Sequence, residues 1–154
     1  MKEDRMQRFL MTLATTTLLL GTSLACGRAA PSVHGSADTR ALVAVPVDGY
    51  DAVLAEMRVL LGSLDGVLGG LTVGDTAAMR AAAAAAGTAE AADPALATLL
   101  PDGWKQLAQR THVGFDSLAA VVARGAPRDS VIAYLAAVTP HCVSCHATYR
   151  LGVS

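Results

Sequence analysis

The segment TPHCVSCHATYR, Thr139 to Arg150, concentrates the reactive side chains of this 154-residue chain. Cys142 and Cys145 stand three positions apart, and His146 follows directly. On a helix, positions three and four apart share a face, so both sulfurs and the imidazole point the same way. Cys-x-x-Cys-His is the attachment pattern of c-type haem. Two thiols add to the vinyl groups on one porphyrin edge, and the histidine turns onto the iron. Other uses of these residues stay open. A redox dithiol needs the cysteine pair at a strand-to-helix junction. A zinc ion needs four ligands, which His141, Cys142, Cys145 and His146 supply only from one crowded turn. A short pattern with two free positions also arises by chance.

The compartment bears on that choice. MKEDRMQR is charged, and FLMTLATTTLLLGTSLA follows as an apolar run. This reads as a secretory signal over residues 1–25, and the run is short for a membrane span. Ser23 and Ala25 are small residues where a signal peptidase cuts. Cys26 directly after them resembles the lipidated cysteine of a lipoprotein, although Ser23 stands where a branched aliphatic residue is usual. The expectation is a periplasmic protein, with lipidation at Cys26 as a possible membrane anchor. With Cys26 lipidated and Cys142 and Cys145 on haem, none of the three cysteines is left over. Losing residues 1–25 takes the formal net charge only from -1 to -2. No basic field points to nucleic acid.

The elements that position these residues read as helices. Hydrophobic residues make up 53% of the chain but aromatics only 4%, so the apolar content is mostly Ala, Leu and Val. Residues 26–47 carry Pro31, Gly35, Ser36 and Pro46, and read as a flexible tether. A first helix is expected from Asp48, with an apolar stripe at Val53/Leu54, Met57, Leu60/Leu61, Leu64, Val67/Leu68 and Leu71. The Gly69–Gly70 pair is its expected end. Glycines on its surface also permit close approach of a neighbour or a flat ligand. A second, alanine-rich helix is expected from an Asp75 cap to about Ala92. A third begins at Gly103 or Trp104, capped by Asp102, with Trp104 in the core. A fourth begins at Pro127 and carries Val131/Ile132, Leu135, Val138, Cys142, Cys145/His146 and Tyr149 on one face. Pro140 is discordant and predicts a kink, or a fresh start capped by Thr139. Short connections between four such helices imply an all-α, antiparallel four-helix bundle over residues 48–154, with haem attachment at its C-terminal end.

CVSCHATYR near the C-terminus, after three earlier helices, resembles the class II c-type cytochromes: cytochrome c-prime and its low-spin relatives. In that family the motif lies near the end of the last bundle helix, and an aromatic and an arginine follow, as Tyr149 and Arg150 do here. The likeness covers roughly residues 48–151. MRVLLGSLDGVLGG is similar to the family's first helix, with one residue extra before the glycine. Class I cytochromes differ by carrying the motif near the N-terminus.

The resemblance implies one covalent haem c, His146 as proximal iron ligand, and a distal face supplied by the first helix. Of the methionines beyond the signal, Met57 and Met79, only Met57 lies in the first helix's stripe, at the position of the family's distal ligand. With Met57 on the iron the protein is a single-electron carrier, not an enzyme, that works with redox partner proteins. With Leu54, Leu60 and Leu61 as an apolar wall instead, the iron is five-coordinate and binds NO or CO. The family's arginine one turn before the distal residue is missing, because Val53 stands there. Arg150 is expected near the haem edge. His112 and His141 are expected at the surface, and His34 in the tether. The family also implies a possible homodimer through the first two helices.

Overall fold

The structure is a computed structural model that describes residues 38–91 and 94–154. The expected signal, Cys26, His34 and most of the tether lie outside the described residues. The described chain is mostly helical, with one short two-stranded sheet. In order, the elements are β1 (Ala41–Val45), α1 (Val47–Val73), α2 (Thr76–Ala84), a 3₁₀ turn (Thr88–Glu90), α3 (Pro94–Ala97), α4 (Asp102–Ala123), α5 (Arg128–Thr148) and β2 (Tyr149–Val153).

The start of α1 follows from Pro46, whose ring sets φ at -56° just before the first turn, with Asp48 placed where the helix dipole favours a negative charge. Its end differs from expectation. The helix runs through Gly69 and Gly70, and Gly74 stops it in the left-handed conformation at φ 72°. Gly70 serves packing instead: a Cβ there would lie 2.7 Å from Met79 Cγ, so α1 can lie close against α2. The close neighbour of this glycine face is therefore a helix.

Asp75 caps α2 as expected, accepting from the Ala78 N–H at 2.9 Å. The alanine tract does not carry α2 to residue 92. It stops at Ala84, and the turn that follows is tied to α4. Asp116 accepts from the Thr88 N–H at 3.1 Å and from its hydroxyl at 2.7 Å. Tertiary hydrogen bonds outweigh the propensity of the tract here. Asp102 sits inside the first turn of α4 rather than capping it, and pairs with Lys105 at 2.7 Å. Pro127 precedes α5 at φ -66° and ψ 156°, outside the helix proper. Pro140 does not divide α5, which is continuous to Thr148, so Thr139 caps nothing.

The tether expectation fails at its C-terminal end. Residues 41–45 form β1, which pairs in parallel with β2, Ala41 opposite Tyr149 and Val45 opposite Val153. A parallel pair needs a long crossover, and here all the helices between the strands provide it. Alternation turns Val43 and Val45 inward, where they are buried.

Two apolar clusters result. One joins α1, α2, α4 and α5 around Val67, Ala83, Phe115, Leu118, Val131 and Leu135. The other gathers Val43, Val45, Val53, Leu96 and Trp104, with Met57, Cys145, Tyr149 and Leu151 packed against it.

Candidate cofactor site

A cleft of about 410 Å³ is lined by residues of both clusters. That volume falls within the roughly 300–1,000 Å³ of small-molecule and cofactor sites. Cys142, Cys145, His146 and Tyr149 reach it from the C-terminal end, with Thr139 and His141 beside them. Met57 reaches it from α1, together with Leu54, Leu60, Leu61 and Leu64. Trp104, Leu107, Phe115 and Leu135 complete much of an apolar lining.

The helical spacing of the motif is realised. Cys142 and Cys145 are free, half-buried thiols on the cleft side, while Val143 and Ser144 between them are exposed. Burial pushes both thiols above the ordinary cysteine value, and the neighbouring Cys142 raises Cys145 further. They also lie towards the carboxyl end of α5, where the helix dipole opposes a thiolate. A redox dithiol needs the opposite conditions, a lowered pKa at a helix N-terminus. Among the described residues, no three His, Cys, Asp or Glu side chains converge as a metal ion would require. The zinc arrangement of residues 141, 142, 145 and 146 is therefore not assembled.

The donor set does fit haem. The thiols share a face with His146, whose side chain lies at the exposed edge of the cleft. His141 also lines the cleft, and its Nδ1 is buried without a hydrogen-bond partner. Tyr149 packs against Trp104, ring centroids 5.6 Å apart and planes tilted by 49°. Trp104 is buried, in keeping with the core position expected of it.

Two site expectations need correction. Arg150 does not line the cleft. The helix ends at Thr148, so the four-residue step from His146 that would have aligned them is lost, and Arg150 lies on β2 opposite Leu42. His112 is not at the surface but only 4% exposed. Its Nδ1 lies 2.8 Å from the Ala86 carbonyl oxygen and its Nε2 lies 2.8 Å from Glu56 Oε1. A carbonyl only accepts, so Nδ1 carries a proton; once the ring is protonated, Nε2 donates to Glu56 as well. The Glu56 hydrogen bond accordingly holds His112 above the ordinary histidine value, against the opposing effect of burial.

Two cleft residues, Glu56 and Arg40, were not singled out by sequence reasoning, nor was the pairing of Glu56 with His112. Glu56 is the neighbour of Met57 on α1, and His112 adjoins Thr111 in the α4 stripe, so the pairing had a faint helical signal. Arg40 had none, because only the β1–β2 pairing brings it here. Its Nη1 donates to the His146 carbonyl oxygen at 3.2 Å, across 106 positions of sequence.

No protein-family model, curated protein or solved structure matches the chain.

Proposed function

We propose that this chain is a periplasmic monohaem c-type cytochrome of the class II kind, a four-helix bundle that carries single electrons. One observation carries the reading: an apolar cleft of cofactor size is lined by the Cys142–Cys145–His146 face and by Met57 from the other end of the sequence. In this reading Cys142 and Cys145 hold haem c through two thioethers, and His146 is the proximal ligand. Met57 is the distal ligand. Bound haem supplies a one-electron ferric–ferrous couple at a potential that a thioether ligand raises. The protein's own part is to exclude water with the α1 leucines and Phe115, and to hold the ligands in place. Its partners are redox proteins. Cys26 anchors it to the membrane as a lipoprotein, stably if more than one acyl chain is attached.

A second reading has specific support. Leu54, Leu60 and Leu61 flank Met57 on the cleft wall, the surroundings of a five-coordinate iron that takes NO or CO. The test is the absorption spectrum of purified holoprotein, ferric and ferrous, with and without carbon monoxide, beside Met57→Ala. A low-spin spectrum with the weak methionine-to-iron band, indifferent to carbon monoxide until Met57 is removed, is expected. A high-spin spectrum that shifts with carbon monoxide in the unmutated protein would transfer the assignment to gas binding. A colourless protein whose mass lacks the haem increment would overturn both, leaving a helical binding protein.

A further inference from the structure

The wall of the cleft that carries Met57 has little core beneath it. Between Val53 and Ser63 no residue of α1 is buried. Farther along, close approach seats the helix: a Cβ at Gly66 would lie 2.8 Å from Ala82 Cβ, and one at Gly70 2.7 Å from Met79 Cγ. Around Met57 the cleft lies where core side chains would otherwise pack. Apolar contacts are also non-directional, so along this stretch they set the rotation of α1 only loosely.

A directional contact reaches the same turn. Glu56, the residue before Met57, brings its Oε1 to 2.8 Å from His112 Nε2 on α4. The other ring nitrogen of His112 is held 2.8 Å from the Ala86 carbonyl oxygen, in the turn after α2. The imidazole is buried, and three parts of the fold meet on it. Glu56 and His112 both line the cleft beside Met57. Burying such a pair costs desolvation, and its best-attested use is to fix a register. Adjacent helix positions are about 100° apart, so a Glu56 held toward α4 also sets the direction in which Met57 leaves α1.

We propose that His112 is a positioning residue for Met57: through Glu56 it holds the turn of α1 that presents the thioether to the iron. This rests on the haem reading above. A plainer role, tying α4 to the Ala86 turn, needs only the hydrogen bond at Nδ1.

Two amides separate these roles in holoprotein. In His112→Asn the amide nitrogen falls near the place of Nδ1 and keeps the bond to Ala86. In His112→Gln it falls near the place of Nε2 and keeps the bond to Glu56. Glu56→Ala removes the same bond from the other side, at a helix position that alanine suits. The probe is imidazole, a soluble iron ligand, titrated into the ferric protein and followed by the haem absorption. Its midpoint concentration reports how often Met57 leaves the iron. His112→Asn and Glu56→Ala should lower that midpoint by about tenfold, the scale of one lost hydrogen bond, while His112→Gln stays near the wild type. Equal midpoints in His112→Asn and His112→Gln would overturn the proposal, and so would Glu56→Ala with a wild-type midpoint. Either result leaves the haem and Met57 readings standing. A wild-type midpoint equal to that of Met57→Ala would overturn the Met57 reading, and wild-type protein without haem the haem reading. This proposal falls with either.

Discussion

At the level of single residues, the cleft combines side chains that announce themselves with others that do not. His112 and Glu56 are the clearest of the second kind. Because the folded state raises the His112 pKa, it binds that proton more tightly than the unfolded chain does. The resulting stability is full below the unfolded value of about 6.5 and is lost as pH rises through the higher folded value. Wild-type protein should therefore lose stability as pH rises from mildly acidic to alkaline. His112→Gln should be less stable near pH 6 and nearly flat over the same range. Urea unfolding across a pH series measures both. A wild-type profile as flat as the variant's would mean that the pair contributes nothing. The spacing of the cysteine pair and its histidine encodes a shared face of α5, and Met57 belongs to the apolar stripe of α1, so their arrival at one cleft could be expected from the sequence. That of Arg40 and Glu56 could not, because their roles depend on partners 106 and 56 positions away.

At the level of elements, the apolar stripes foretold the long helices well, and their ends less well. Stripes report which face is buried, a local property repeated over many turns. Ends depend on single contacts, such as Asp116 holding Thr88, or Gly74 adopting a positive φ. Packing between α4 and α5 rests on Gly114, whose missing Cβ leaves room for the buried Val138 side chain. Gly114→Ala should cost about 1–3 kcal/mol, since Val138 is β-branched and has little freedom to move aside. Gly62 is the control. A Cβ there meets nothing within 4 Å, so Gly62→Ala should stabilise α1 by about 0.5–1 kcal/mol through backbone entropy. Urea midpoints of the two variants should move in opposite directions. Movement in the same direction would show that helix propensity, rather than contact, governs both positions. α5 itself is apolar on both sides: Val131, Leu135 and Val138 face inward, while Ile132 and Val143 are exposed. Its composition suffices to cross a membrane, yet its inner face is spent on the core and the cleft.

At the level of the whole molecule, the unexpected feature is the sheet. Five-residue strands without a nearby partner leave little imprint on local sequence, and ALVAV after a proline- and glycine-bearing stretch reads as linker. Only the distant YRLGV makes it a strand. Val45 is fully buried in the cluster that borders the cleft. Val45→Thr keeps its shape but buries a hydroxyl, and should cost about 1–3 kcal/mol. The thermal midpoint should fall by between about 4 and 24 °C, at about 4–8 °C per kcal/mol for a domain of roughly 100 residues. An unchanged midpoint would mean that β1 does not contribute to the stability of the body. The parallel pairing also has a consequence in time. β1 is the first described element to be synthesised, and β2 is the last. The register between them cannot begin to form until Tyr149 exists, and is complete only with Val153. The helices can assemble earlier, but the latch that brings Arg40 over the His146 turn closes only once β2 has been made. On the proposal of a covalent haem, attachment at Cys142 and Cys145 would have a window in which the motif is available and the strand is not yet across it.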